Sequence, residues 1–301
     1  MARPCPYPPA NDVAASSLRS LHVPLPDRPR LPAARVVCVV PARDGLSAQA
    51  IFDRSLAAHG GDLRLHRGDI ALATDGRWYT LIQRIQPVVT DARYRVTSEE
   101  RYRPADGVYA VRHAGPGGIK HVLRTPDGLQ VAYDGRATDD DARRAATAMT
   151  NDAFRMFHFG PTFFLDRTRA LARLPDAREG GRRYHRLHAT LEPGFGRSPR
   201  DEAVLWIDAD TARLHRIHQT LEGFPTTVGA HVDTTFLEYR QVGPYLFPVR
   251  FLERVRGPLR IKAHAWRVTG IDLDRGWTTA DVADPGGFRG AAARPAGVPS
   301  P

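Results

Sequence analysis

Residues 101–133 read RYRPADGVYAVRHAGPGGIKHVLRTPDGLQVAY, and this stretch decides the fold class. Three short turn signals divide it: Asp106-Gly107, the Gly-Pro-Gly-Gly of 115–118, and Asp127-Gly128. Each turn separates runs rich in β-branched, aromatic and alternating residues, which is the pattern of strands joined by hairpins. A chain that reverses repeatedly through such short connections forms an antiparallel meander. The sequence therefore predicts strands at 108–113, 119–124 and 129–133 in one antiparallel sheet.

The same rhythm extends to both sides of this stretch. Toward the N-terminus, Asp75-Gly76 predicts a hairpin between strands 70–74 and 77–84, followed by a long strand at 93–102. Toward the C-terminus, further strands are predicted at 184–191, 203–208, 213–221, 231–239, 245–255 and 261–273. No internal repeat or linker divides these segments, so one domain is expected over residues 46–278.

Two amphipathic helices interrupt the strands. Ser47 is a good N-cap for a first helix that ends at Gly60-Gly61, because glycine adopts the left-handed conformation of a helix stop. Thr138 and Asp141 resemble a capping box for a second helix, which should end near Gly160. Apolar residues follow one face of this second helix at helical spacing.

The composition of the chain indicates which classes of binding partner to expect. The chain has 301 residues and a formal net charge of +10, and 43 residues are Lys or Arg. Only Lys120 and Lys262 are lysine, and the arginines are scattered without interleaved aromatic residues. Nucleic acid is therefore not the expected partner, because a single-strand site needs basic residues combined with stacking aromatics. Peripheral contact with an anionic membrane is compatible with the charge.

The two ends of the chain have a different composition from the middle. Residues 1–45 are Pro-rich and predicted to be disordered. Residues 33–42 resemble a signal region that is either degenerate or shifted by a misplaced start codon. A periplasmic location is expected on that basis, and a cytoplasmic one if Met1 is the true start site. Residues 279–301 are predicted to be a disordered tail. Cys5 and Cys38 have no Cys-x-x-Cys spacing, which excludes a thiolate zinc site.

The sequence contains no strong catalytic motif. The serine of Gly194-Phe195-Gly196-Arg197-Ser198 lies outside the glycines, so the segment is not a nucleophile elbow, and no dinucleotide or phosphate-loop motif occurs. The best alternative is a metal-dependent or hydrolytic enzyme using histidines and an aspartate on the sheet. His231 and Asp233 share a strand face, and His218 or His264 could lie beside them on neighbouring strands.

Three segments carry a resemblance to a known family. Residues 205–214 (LWIDADTARL) form a strand ending in Asp, an Asp-x-Thr turn and the next strand. Residues 50–61 (AIFDRSLAAHGG) and 236–248 (FLEYRQVGPYLFP) occur in matching order along the chain. Together these motifs resemble the LolA/LolB-like lipoprotein carriers, and the resemblance extends over about residues 46–275.

The resemblance implies a fold and a role. It implies an α+β protein with a curved antiparallel sheet, or incomplete β-barrel, closed by two or three helices around an apolar cavity. It also implies a non-catalytic carrier of a lipid or acyl chain in the periplasm. No cofactor is expected, and a monomer is expected. Rim residues such as Arg155 and Arg167 would then meet lipid head groups. The predicted cavity and lid residues are Trp78, Met149, Phe154, Met156, Phe157, Phe159, Phe163, Phe164, Trp206, Phe236, Phe251 and Trp266.

The aromatic residues around the end of the second helix have two interpretations. The run of aromatic residues from Phe154 to Phe164 is the most apolar patch in the chain. Such a run is typical of core packing in the first place, and a ligand-pocket wall is the less favoured interpretation.

Overall fold

A computed structural model describes residues 38–40, 44–256, 260–284 and 292. All of its strands belong to one antiparallel sheet in the order β1-β8-β9-β10-β11-β12-β13-β14-β2-β3-β4-β5-β6-β7, in which β1 and β7 are the two edges among the described residues. The sheet is therefore curved but not closed, as predicted. The strands are β1 Cys38–Val40, β2 Ile70–Trp78, β3 Thr97–Arg103, β4 Val108–Gly115, β5 Gly118–Thr125, β6 Gly128–Tyr133, β7 Arg136–Ala137, β8 Thr168–Glu179, β9 Arg182–Leu191, β10 Asp201–Asp208, β11 Leu214–Thr220, β12 His231–Val242, β13 Tyr245–Arg256 and β14 Ile261–Leu273.

In the described part of the chain, five α-helices accompany the sheet: α1 Ala48–Ala58, α2 Thr80–Ile85, α3 Pro87–Thr90, α4 Asp141–Phe159 and α5 Thr279–Ala283. As predicted, Ser47 caps α1, and its hydroxyl accepts a hydrogen bond from the Ala50 N–H. The cap of α4 differs from the prediction, because the Asp140 carboxylate, rather than Thr138, accepts from the Arg143 N–H. Among the described residues, no helix combines the length and apolarity needed to cross a bilayer.

The strands have one face toward the core and one face away from it. Along β10, Leu205 and Ile207 join the main hydrophobic core, whereas Val204 and Trp206 join a separate small cluster on the outer face. This alternation follows from the two-residue period of a strand. The inner face of the curved sheet packs against α1 and α4, and the main core lies there.

The predicted hairpin at Asp75-Gly76 is wrong. β2 runs straight through both residues, and the segment predicted as the second strand instead contains α2. Gly76 is needed for close packing and not for a turn: a Cβ atom there would lie 2.6 Å from the Cβ of Trp266 on β14. A glycine inside a strand can mark such an approach of a neighbouring strand.

One long strand was not predicted. β8 pairs with β9 over most of its length, but its register shifts between Leu174 and Ala177, next to Pro175. Proline cannot donate a ladder hydrogen bond and is tolerated at such irregularities. The proline, together with the many charged residues of the segment, obscured the strand pattern.

The chain ends are partly ordered. Residues 38–40, predicted to be disordered, form β1 on the edge of the sheet beside β8. Near the other end, Thr278 and Asp281 form a capping box for α5 inside the predicted tail. The remainder of the two predicted disordered segments lies outside the described residues, except Asp44, Gly45, Asp284 and Ala292.

Candidate ligand-binding site

The space between the sheet and α4 is largely filled by the protein itself. Met149, Met156 and Phe157 point from α4 into the main core and are fully buried. Phe163 and Phe164, in the turn after α4, are buried in the same core. The aromatic run therefore packs as core over most of its length, and the predicted lid is an integral part of the fold.

A small apolar cavity remains on one side of α4. Its volume is about 100 Å³, and it lies between α4, the α2–α3 pair and the ends of β12 and β13. Four predicted cavity residues line it: Trp78, Met149, Phe154 and Phe157. Most of the remaining wall is aliphatic: Ile82, Ile85, Val89, Ala153, Leu221, Ala230, Val232, Val255 and Ala263.

Exposed apolar side chains surround the opening of this cavity. Leu81 and Ile85 on α2 are about half exposed, at 51% and 53%, and Val88 on α3 and Val228 are also exposed. A reciprocal pair of hydrogen bonds between Gln86 and the backbone and hydroxyl of Thr226 joins the two sides of the opening. Contiguous exposed apolar residues of this kind mark surfaces that contact lipids, ligands or other proteins.

Polar groups occupy one wall of the apolar cavity. Burial raises the pKa of the Glu253 carboxyl to about 7, although the positive charge of Arg95 acts in the opposite direction. Arg95 is itself buried and lies over the rings of Trp78 and Phe154, at 5.0 and 4.7 Å from their centroids. The buried Trp78 Nε1 has no hydrogen-bond partner among the described residues. Beside the amide of Gln86 and the hydroxyl groups of Thr90, Thr150 and Thr227, the lining thus offers one carboxyl group and one free N–H.

Three other predicted lining residues lie behind the cavity. Phe251 stacks on Trp266 with centroids 4.5 Å apart, and Phe236 packs edge-on against Phe251. Trp266 Nε1 donates to His158 Nε2 at 3.1 Å, and His158 Nδ1 lies 2.8 Å from Glu100. These aromatics, with Met156 and Phe164, form a closed core and do not line either of the two cavities beside α4.

The Glu100–His158 pair was missed from the sequence. The Tyr109 hydroxyl donates to the same carboxylate at 2.6 Å, so Glu100 is buried with two partners. Strand parity could have revealed Glu100, because it shares a face with Tyr102 two residues later. The His158 partner could not have been found, because α4 is distant in sequence.

The placement of Trp206 corrects the predicted lining. It lies on the outer face of β10, where its ring packs near Tyr184 with centroids 6.0 Å apart. Because Leu205 and Ile207 occupy the inner face, Trp206 faces away from both cavities.

The alternative histidine cluster forms only in part. His218 Nδ1 lies 2.8 Å from Asp233, and His218 Nε2 lies 3.2 Å from His231, all on the outer face. Burial by itself would raise the pKa of Asp233. The hydrogen bond with His218 and the charge of Arg256 lower it by more than that, so the pKa lies below its usual range. His264 is on the inner face, stacked on Trp78 at 4.0 Å. The four residues proposed for an enzyme site therefore do not converge.

A different group has metal-like spacing. Among the described residues, Asp44, Asp176 and His185 bring their ligand atoms within 4.8 Å of one another. Arg173 donates to Asp44 at 2.6 Å and to Asp176 at 3.1 Å, and Arg183 lies 3.6 Å from both. The two carboxylates are thus ion-paired with arginines, and the group is accounted for without a metal.

A larger cavity lies on the other side of α4. It has a volume of about 480 Å³ and is bounded by α4, the β5–β6 turn, the segment 160–167 and the turn at Gly196. Tyr102, Phe159 and Phe163 contribute aromatic walls, so these two predicted phenylalanines line this cavity and not the apolar one. Six arginines line it: Arg64, Arg124, Arg144, Arg155, Arg167 and Arg197.

Solved structures with a similar fold come from several bacteria. A LolA superfamily protein from Nitrosomonas europaea is similar over 80% of this chain and 99% of its own, with 9% identity and a TM-score of 0.48. A DUF1329 family protein from Desulfovibrio piger covers 81% of this chain and 99% of its own, with 14% identity and a TM-score of 0.42. A putative outer membrane lipoprotein-sorting protein domain from Vibrio parahaemolyticus covers 78% and 95%, with 11% identity and a TM-score of 0.39.

One of these three proteins is a LolA superfamily protein, and the LolA/LolB-like carriers are the family that segments 205–214 and 236–248 resemble. No protein-family model and no curated protein sequence matches the chain.

Proposed function

We propose that this protein binds a hydrophobic ligand, such as the acyl chain of a lipid, and acts as a non-catalytic carrier in the cell envelope. The observation that supports this proposal is the apolar cavity beside α4, which opens among the exposed side chains of Leu81, Ile85 and Val88. The envelope location is proposed from the resemblance of segments 205–214 and 236–248 to periplasmic carriers.

The size of the cavity defines how a chain would enter. A volume of about 100 Å³ holds only a few methylene groups. Each CH₂ removed from water contributes about 0.8 kcal/mol, so tight binding requires more of the chain to be enclosed. The short helices α2 and α3 are the movable wall, because they face α4 and have many exposed residues. We propose that they swing away from α4 as the ligand enters.

A fluorescent long-chain fatty acid tests this proposal. Ala230 is half-buried at the cavity wall, so Ala230→Trp fills the cavity from its rim. We expect at least a tenfold loss of affinity, measured by fluorescence titration. Leu237→Trp is the matched control, because Leu237 is 45% exposed and does not line the cavity.

Two results would contradict the proposal. One is the absence of saturable uptake of the fatty acid by the unmodified protein. The other is equal affinity of the Ala230→Trp and Leu237→Trp variants, because bulk inside the cavity would then have no effect.

A further inference from the structure

The arginine-lined cavity on the far side of α4 has an excess of positive charge at its floor. Arg124, Arg155 and Arg167 converge on a single carboxylate, that of Asp152, with N–O distances of 3.0, 3.5 and 3.3 Å. Asp152 is fully buried, and the arginine side chains retain only 21%, 17% and 12% of their surface. Three guanidinium groups and one carboxylate leave a net positive charge in a site with limited access to water.

Hydrogen-bond donors also outnumber acceptors at the floor of this cavity. Each guanidinium has five N–H donors, whereas a carboxylate offers about four acceptor positions. Asp152 also accepts the Gly196 N–H at 2.9 Å, which uses part of that capacity. The buried Nε of Arg155 has no hydrogen-bond partner among the described residues. The Gly194 carbonyl accepts one further bond, from Arg167 Nη1 at 2.9 Å. The guanidinium N–H groups that exceed these acceptors and face the cavity are available to a bound anion.

Further cationic groups surround this floor, and few acids oppose them. Arg144 lies one helical turn from Ala148 on the face of α4 that lines the cavity. Asp166 is the only acid among the lining residues. Arg64 and Arg197 are already paired with Asp62 and Asp141, so they contribute less.

The shape of the cavity indicates an organic anion. A volume of about 480 Å³ is within the usual range for small-molecule sites, and it is much larger than an inorganic ion needs. Arginines that approach from different elements suit the oxygens of a phosphate, which they bind in a bidentate manner. The rings of Phe159 and Phe163 and the side chain of Leu129 provide apolar wall for the rest of the molecule.

We infer that this cavity is a second binding site, for the phosphate group of an organic phosphate, with Arg124, Arg144, Arg155 and Arg167 as its cationic ligands. It is separate from the apolar cavity, because the residues of α4 that line the two cavities differ. The phosphate belongs either to a lipid head group or to a water-soluble phosphomonoester, and this inference goes beyond the proposed function.

Calorimetric titration at about 0.15 M salt tests the site, because the Debye length is then about 8 Å and distant charges are screened. The probes are glycerol 3-phosphate and the short-chain lipid dihexanoylphosphatidylglycerol. Arg144→Glu should reduce the affinity for the bound probe at least tenfold. Arg143→Glu is the matched control, because Arg143 is an exposed neighbour on the same helix that does not line the cavity, and it should change affinity less than threefold.

Arg155→Met gives a second readout at the floor of the cavity. Circular dichroism and the thermal midpoint confirm that each variant is folded before its affinity is compared. Tighter binding of the short-chain lipid identifies a head group, whereas equal or tighter binding of glycerol 3-phosphate identifies a soluble ligand. Either result supports the site if Arg144→Glu lowers the affinity for the probe that binds.

The inference is overturned if neither probe binds at millimolar concentration, or if Arg143→Glu and Arg144→Glu have equal effects. Failure here is distinguishable from failure of the acyl-chain proposal. Ala230→Trp should leave phosphate binding unchanged, and Arg144→Glu should leave uptake of the fluorescent fatty acid unchanged.

Discussion

Glu253 is a carboxyl group on the wall of an apolar cavity, and its environment makes it a pH-sensitive residue. Its pKa rises from the ordinary 4.5 to about 7 because burial disfavours the charged form. The positive charge of Arg95 reduces this rise in the pKa, although no ion pair joins Arg95 to Glu253 among the described contacts. The residue keeps part of its surface accessible because it lines the cavity.

This raised pKa predicts a pH-dependent stability. Between about pH 4.5 and 7 the folded protein holds a proton on Glu253 that the unfolded chain has lost, so the free energy of unfolding falls as pH rises. Glu253→Gln removes this loss of stability. At pH 8 the free energy of unfolding of the variant should be about 1–3 kcal/mol higher than that of the unmodified protein. Urea unfolding at pH 4.5 and pH 8 measures the difference, which should be close to zero at pH 4.5. A constant difference at both pH values would show that Glu253 does not titrate in this way.

At the scale of elements, β2 shows how one glycine determines the packing of two strands. Gly76 faces the inner side, opposite Trp266 on β14. Trp266 in turn stacks on Phe251 and bonds to His158, so it has little freedom to move. The close approach of β2 and β14 therefore depends on the missing side chain at position 76.

Gly76→Ala is expected to destabilise the protein by about 1–3 kcal/mol, because the added Cβ overlaps the Cβ of Trp266. Part of this cost is offset by the lower entropy of the unfolded alanine chain. Asp75→Ala is the comparison: its carboxylate pairs with Arg267 in an exposed position, so its loss should cost no more than about 1 kcal/mol. Chemical denaturation measures both. Equal effects would contradict a packing role for Gly76.

At the scale of the molecule, charge and apolar exposure coincide at the opening of the apolar cavity. The chain carries a net charge of +10. Arg77 and Lys262 lie over the Tyr79 ring just before α2, and Arg84 is exposed on α2 beside Ile85. This face combines apolar side chains with cations, a pattern that fits the surface of an anionic bilayer.

Binding to vesicles should therefore have two separable components. Sedimentation with phosphatidylglycerol vesicles should exceed sedimentation with phosphatidylcholine vesicles and decrease as salt is raised. The double substitution Leu81→Ser and Ile85→Ser should lower binding several-fold at every salt concentration. Leu65→Ser with Leu237→Ser is the control, because both leucines are exposed elsewhere. If the two double variants bind equally, the α2–α3 face is not the contact surface.

The sequence by itself determined the class of fold. Short turns at Asp106-Gly107 and Asp127-Gly128 and the alternation of the strands are local signals, and local signals are sufficient to specify an antiparallel order. The two long helices were predictable for the same reason, since Ser47 and Gly160 act on their own helix ends. The conformation of Asp75-Gly76 was not predictable from local signals, because it depends on pairing with a strand about 190 residues away.

Only the tertiary structure decided which residues surround each cavity. The residues that meet at Asp152 come from β5, α4 itself, the segment before β8 and the turn at Gly196, and nothing in their spacing along the chain indicates that they converge. Likewise, Trp206 and Phe236 are equally apolar in sequence, yet they lie on opposite faces of the sheet. The physical reason is that the face of each side chain is set by strand register and bulges, which are fixed by pairing between distant segments.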